Sequence, residues 1–511
     1  MVFMKSYKGQ QWLFPPSIEE LIPEDHVCYL VESLVESMDF SPFEVKYTGP
    51  GHPAYHPRIL VKVLVMGVLD RIRSSRRLAR NVRENVVYMY LSEKVTPDFR
   101  TISDFRKTNP STVKEAFKHT VTLAKKEGLL DLSHLSTDGS KGKANAANKR
   151  MLTKEELEFL LKFFDDELEE WTKRDDLEDE AFGGLRGSDQ LPGNSKKKMQ
   201  NTVKHYIKKI KEKGDLFKED IKEKLTRAHQ ELEQHKLEKV STTDPESRFM
   251  LNKKKKVEFS YNTQITVDKK GFILANDVCQ DANDTKQLQP QVLQTEVNLK
   301  SLPKGILWSF DNNYFEGENI KFLLDNKIKG LIPNNEKKED DPYNKKHFIY
   351  NSVKDEYTCP ANQPVTFIGE NFDKQKEKMV RIYKGQTCTA CLYQAQCTKR
   401  KNGIRYIKSF PYEKERNVMT TKMDTPQAKE LYKLRAQTVE PVIGDIKENK
   451  GMREFTTRTL ETVKTEFNLI CTATNLRKIW IIQQKKNDIR KHIMQRILSC
   501  TKISYLMPNI A

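Results

Sequence analysis

Through residues 17–130 apolar side chains recur every three or four positions, the spacing of helices that bury one face. RILVKVLVMGVLDRI, residues 58–72, holds this spacing, and Thr112 with Glu115 forms a capping-box pattern opening the next run, VKEAFKHTVTLAKKEGLL. A second helical pattern fills residues 153–240. Thr153 and Glu156 cap a helix carrying Leu157, Leu160, Leu161, Phe164, Leu168 and Trp171. After a break rich in Gly, Pro and Ser, Val203, Tyr206, Ile207 and Ile210 mark a second helix, and Ile221, Leu225, Ala228 and Leu232 a third. This region reads as a helical hairpin or short coiled coil inserted into something else.

From residue 256 the period falls to that of strands. VEFSYNTQITV, the turn DKKG and FILANDVC predict a β-hairpin, because β-branched and aromatic residues fill both runs. A helix over about 285–299, a buried strand KGILWSFD, a helix EGENIKFLLDNK and a strand IKGLIPN follow. Residues 335–420 are polar and read as irregular, and two long helical patterns close the chain.

The chain has 511 residues, enough for two or three domains, and carries a net charge of +18, which suits a polyanionic partner such as nucleic acid. Six arginines lie between Arg71 and Arg83. Arg76, Arg80 and Arg83 share one helical face, with Leu78 and Val82 inward, so they either line a phosphate backbone or form a solvated face with Arg80–Glu84 pairing. No run of 18 apolar residues and no signal-peptide core occur, so no membrane span is expected.

The segment LSTDGSK, residues 135–141, reads as a strand ending at Asp138, although Asp-Gly is also a common turn. With a second strand ending at Asp311, the element order fits a mixed sheet whose first and fourth strands are parallel neighbours. Asp138 and Asp311 would then emerge side by side at the strands' carboxyl ends, with Glu440 on a later helix to complete the group. Carboxylates that converge repel unless cations neutralise them, and oxygen-only ligands suit Mg²⁺ or Mn²⁺. Two such ions support in-line phosphoryl displacement. Asp244, in an Asp-Pro turn start, and Asp268, in the hairpin turn, read as structural.

Ordered blocks carry a resemblance: HPRILVKVLVMGVL, SSRRLARNVREN, PDFRTISDFRK, STDGSK, TDPESRFM, YNTQITVD, FDNNYFEGENI and VEPVIGDIKENKGMREFTTR. Taken together the chain resembles a DDE transposase of a bacterial insertion sequence. The resemblance implies an α/β RNase H-like mixed-sheet catalytic core with an all-α N-terminal domain. It places the N-terminal DNA-binding domain at 1–130, the core in three pieces (131–150, 251–335 and 421–490), a helical insertion at 151–250, a cysteine-bearing insertion at 336–420 and a tail at 491–511. It makes Asp138, Asp311 and Glu440 the catalytic and metal-holding residues. Tyr432, Arg435 and Lys447 become DNA-contacting candidates beside Arg76, Arg80 and Arg83. Six residues separate Glu440 from Lys447 as the family pattern has it, while four separate Arg435 from Glu440 where the common pattern has three. The implied activity is cleavage at the element's ends and strand transfer into target DNA, by a homodimer in a bacterial cytoplasm, on the nucleoid. Two rival readings are a catalytically inactive, transposase-derived DNA-binding protein and a helical scaffold built on the insertion.

Cysteine usage adds one more feature. Four of the eight cysteines, Cys359, Cys388, Cys391 and Cys397, fall within one polar stretch and include a Cys-x-x-Cys pair. They read either as one structural zinc site or as grouped free thiols. Cys28, Cys279, Cys471 and Cys500 lie in apolar contexts and read as core residues.

Overall fold

The computed structural model of the chain describes residues 16–47, 53–166, 191–252, 255–334, 341–351, 353–373 and 378–504. Leu168, Trp171 and the side chain of Cys500 lie outside the described residues.

Seven helices open the fold: α1 (Cys28–Glu36), α2 (Ser41–Glu44), α3 (Pro57–Leu69), α4 (Ser75–Glu84), α5 (Val86–Leu91), α6 (Phe99–Thr108) and α7 (Pro110–Lys126). Every residue of α3 except Arg58 is buried, the state of a helix that is apolar on all sides. Its one charged interior residue, Lys62, is held by Glu36 at 2.5 Å, Glu93 at 3.3 Å and Glu32 at 3.6 Å. The capping box expected at Thr112 is not formed. Helix α7 starts earlier, at Pro110, whose missing N–H costs nothing in the first turn, and Thr112 is buried inside the helix.

A six-stranded mixed sheet follows, built from β1 (His134–Lys143), β4 (Arg248–Leu251), β5 (Val257–Asp268), β6 (Ile273–Cys279), β7 (Leu307–Phe310) and β8 (Lys329–Leu331). Its order is β4-β5-β1-β7-β8, with β6 also paired to β5. Strand β1 is antiparallel to β5 and parallel to β7, so the first and fourth strands of the expected core are parallel neighbours. The β5–β6 hairpin closes where read: Gly271 takes φ +77°, and Asp268 accepts hydrogen bonds from the Phe272 and Asp131 amides.

Between β1 and β4 a short ribbon, β2 (Met151–Thr153) with β3 (Lys239–Ser241), carries α8 (Lys154–Asp166), α9 (Gly193–Lys213) and α10 (Asp215–Gln234). The Thr153–Glu156 capping box forms in both directions, at 3.1 and 3.4 Å. Leu157, Leu160, Phe164, Val203, Ile207, Leu225 and Leu232 give the insertion a core of its own.

After α11 (Leu288–Leu299) and α12 (Gly317–Asp325), residues 349–409 form a five-stranded antiparallel sheet, not the irregular stretch expected. It comprises β9 (Ile349–Asn351), β10 (Glu356–Thr358), β11 (Pro364–Asp373), β12 (Lys378–Gly385) and β13 (Tyr406–Ser409), with α13 (Gln394–Cys397) before the last strand. Three of these strands span only three or four residues, and β11 is mostly exposed, so they lack the alternation that reveals strands in a sequence.

Helices α14 (Glu413–Asp424), α15 (Pro426–Glu448) and α16 (Leu460–Ser504) complete the chain, and α16 runs unbroken past the tail boundary expected at 490. Asp244 and Glu246 accept from the Thr459 and Leu460 amides at 3.0 and 2.6 Å, which caps α16 and gives the TDPESRFM block a structural role. One apolar cluster runs from Val31 and Val63 through Leu135, Ile265 and Trp308 to Phe467 and Leu476, so the N-terminal helices and the sheet share a core.

Candidate active site

The register of two strands decides the site. Parallel pairing of β1 with β7 ends at Thr137 opposite Phe310. The next residues out are Asp138 and Asp311, which therefore leave the paired region together. Strand β1 does not end at Asp138; it continues to Lys143 against β5, where Asp138 pairs with Ile265. The Asp-Gly pair is thus inside a strand, and the turn reading fails because Gly139 is held in the ladder opposite Gln264. Asp311 caps the turn that follows β7, accepting from the Asn312 amide at 2.8 Å.

Helix α15 crosses this point. A buried hydrogen bond of 2.7 Å joins Ser136 Oγ on β1 to Thr438 Oγ1 on α15. Two residues further along each element stand Asp138 and Glu440, and Asp138 shares the strand face of Ser136. The Arg435 guanidinium lies between the acids, 2.8 Å from Asp138 Oδ1 and 3.8 Å from Glu440 Oε1. Burial works against the charge of Arg435, but Asp138, Tyr432, Asp311 and Glu440 outweigh it and raise its pKa. Arg435 is therefore the counter-ion of the carboxylates and sits away from the open surface, with 10 % of its side chain exposed. The extra residue between Arg435 and Glu440 has a visible consequence. Val439 takes the inward position one turn after Arg435 and is fully buried, while Glu440 points out with 59 % of its side chain exposed.

Tyr432 and Lys447 flank the group. Burial pushes the Tyr432 hydroxyl up to about 12, with Asp311, Asp138 and Glu440 adding to the shift and Arg435 opposing it. Lys447 lines a small pocket with Asp138, Ser140, Thr263 and Ile443. Pro441, next to Glu440, withholds one donor from the helix ladder at this point.

A fourth carboxylate belongs to the site and was missed from the sequence. Asp284 is buried and accepts from Asn262 Nδ2 at 2.7 Å, Gln264 Nε2 at 2.6 Å and Asn313 Nδ2 at 3.4 Å. Gln264 in turn accepts from the Tyr314 hydroxyl. A Cβ on Gly139 would stand 2.3 Å from Asp284 Oδ1 and 2.5 Å from Gln264 Nε2. Asp284 thus links the strand beside Asp138 to the turn after Asp311. Only a glycine after Asp138 and amides on β5 hinted at it.

The other site candidates lie elsewhere. Arg76, Arg80 and Arg83 are exposed on α4 while Leu78, Ala79 and Val82 are buried, as the spacing required. Arg80 and Glu84 are 4.0 Å apart and both largely exposed, and Arg76 stacks over Phe99 at 5.0 Å. Arg73, in contrast, is spent on docking: it reaches Glu466 at 3.0 Å and the Gly451 carbonyl at 2.8 Å. Cys359, Cys388, Cys391 and Cys397 line one pocket at an end of the small sheet.

Asp138, Asp311 and Glu440 offer only hard oxygens, with the Arg435 guanidinium beside Asp138 and Glu440, so the donor set fits Mg²⁺ or Mn²⁺. Among the described residues Glu158, His229 and Glu233 are the one group whose three ligand atoms already lie within 4.8 Å of one another, but both glutamates are exposed and Glu233 is paired to Lys154 at 2.6 Å. No helix among them is long and apolar enough to cross a membrane.

No curated protein matches the chain. Asp138 and Asp311 lie outside both spans matched by family models, whereas Glu440 and α4 lie inside them. Those models are a transposase DDE domain over residues 358–480 and a transposase domain (DUF772) over residues 16–108, and together they are consistent with a DDE transposase of an insertion sequence.

Proposed function

We propose that this chain is a transposase with an RNase H-like core that binds the ends of its insertion sequence, cleaves DNA there and joins the freed ends to target DNA. The observation that carries the reading is the β1–β7 register, which sends Asp138 and Asp311 out together beneath the helix that bears Glu440.

In cleavage, a water oxygen attacks the phosphorus at the element's end, the bond from phosphorus to the 3′ oxygen breaks, and the products are a 3′-hydroxyl and a 5′-phosphate. In transfer, that 3′-hydroxyl attacks a target phosphodiester, one phosphorus–oxygen bond forms as another breaks, and the proton passes to the displaced 3′ oxygen. Phosphodiester bonds are conserved in this second step, so no external energy source is needed.

Two divalent ions, when bound, lower the pKa of the attacking oxygen and stabilise the leaving one. Asp138, Asp311 and Glu440 would hold them. Arg435, on the buried side of the acids, would hold Asp138 and Glu440 in place. Asp284 keeps the Asp138 strand and the Asp311 turn in register. Helices α1–α7, with Arg76, Arg80 and Arg83 on the open face of α4, supply end binding, and a homodimer would hold both ends.

The test is cleavage of the element's terminal DNA by purified protein with Mg²⁺, Mn²⁺, Ca²⁺ or excess chelator. Cleavage in Mg²⁺ and Mn²⁺, with little in Ca²⁺, is expected, since the larger ion takes more ligands at looser distances. Equal rates in chelator or Ca²⁺ would overturn the reading.

A further inference from the structure

The sheet β9–β13 has too little apolar material to explain its own order. Its buried cluster consists of Phe348, Tyr357, Val365, Tyr383 and Ile407, with Cys359 and Cys397 packed at its edge. A core this small ordinarily needs a staple.

Strand pairing brings the four cysteines to one end of that sheet. Cys359 follows β10, whose last residue pairs with Pro364 at the start of β11. Cys388 follows β12, whose Gly385 pairs with Val365, one residue along β11. The 28-residue gap between Cys359 and Cys388 is thus a hairpin that returns to its origin. Cys391 lies at the end of the short turn containing Cys388, and Cys397 ends α13, just before the chain returns through Arg405, whose carbonyl accepts from the Gly385 amide at 2.9 Å. A Cβ on Gly385 would stand 2.3 Å from Cys388 Sγ, so the glycine makes room for the thiol. The Gln363 amide approaches Cys359 Sγ at 3.4 Å, and the Arg405 guanidinium donates to the Cys397 carbonyl at 3.0 Å. All four cysteines line one pocket together with Gly385 and Arg405.

We propose that Cys359, Cys388, Cys391 and Cys397 hold one structural zinc ion, which staples the small sheet. The inference is independent of the transposase reading. The sulfurs stand further apart than in a filled site, where Zn–S bonds of about 2.3 Å leave them about 3.8 Å from one another. Among the described residues only the Glu158 group brings three ligand atoms within 4.8 Å. Filling the site therefore draws the side chains inward, a movement that changes of χ1 on loop cysteines can supply.

The test is metal content of the full chain, purified in reducing buffer after growth with zinc. About one zinc per chain is expected, falling at least about tenfold in C388S/C391S and unchanged in E158Q/H229N. Should the cysteine variant not fold, the wild-type chain exchanged with Co²⁺ decides the matter: thiolate-to-cobalt charge-transfer absorption with tetrahedral d–d bands is expected. Limited proteolysis after chelation should open cleavage within 341–409 first. Zinc that survives C388S/C391S, iron in its place, or a cobalt spectrum without thiolate bands would each overturn the assignment.

Discussion

At Gly139 a single hydrogen stands between the site and a clash. Alanine there would push on the buried Asp284–Gln264 pair, which must shift to admit it. Gly139→Ala is expected to cost about 1–3 kcal/mol in denaturant unfolding and to slow cleavage more than it weakens DNA binding. Unchanged unfolding would mean that the Asp284 network is slack. A second residue sets an acid limit. Burial, with a smaller contribution from Lys269, holds His134 down at about 4, against an ordinary value near 6.5. Its Nε2 meets Ser309 Oγ at 2.8 Å, inside the sheet that carries Asp138 and Asp311. At neutral pH neither the folded nor the unfolded chain protonates this ring. As pH falls below about 6.5 the unfolded chain takes up the proton first, so His134's contribution is lost progressively down to about pH 4. Asp244, raised by burial to about 6, works in the opposite direction over the same range. The acid loss of stability should therefore be shallower in His134→Gln and steeper in Asp244→Asn, as thermal unfolding across pH would show.

Helix α4 is the element on which the charge argument rests. If Arg76, Arg80 and Arg83 touch phosphates, replacing one with glutamine should weaken binding to all DNA sequences alike and reduce the salt slope by about one unit. Loss at one base position alone would indicate base reading instead. The helix itself was legible because Leu78 and Val82 lie a turn apart. Which arginines of the run serve the fold was not, since Arg73 is bound by Gly451, Glu454 and Glu466, nearly 400 residues downstream. The same limit applies to strands. β5 and β6 announced themselves by β-branched and aromatic runs, whereas β9, β10 and β13 are three or four residues long and gain their order from neighbours. Asp284 was hidden for a related reason: its partners Asn262 and Asn313 are far away in sequence and ordinary in type.

At the scale of the whole molecule, the helical N-terminal part is bolted to the six-stranded sheet. Helix α16 lies against α7, α3 and β6, and Asn475 spans the seam, donating to Thr120 Oγ1 at 3.0 Å and to the Ile273 carbonyl at 2.8 Å. DNA held by α4 would therefore keep a fixed relation to Asp138 and Asp311, which suits cutting at a set position. The most direct test of that account is Asp311→Asn. Asp138 is a poorer choice, because its loss strands the buried Arg435 guanidinium. With terminal DNA in Mg²⁺, Asp311→Asn should bind within a few-fold of the unaltered protein and cleave slower by about 10²–10³-fold or more. Cleavage at a near-normal rate by that variant would contradict the carboxylate site itself.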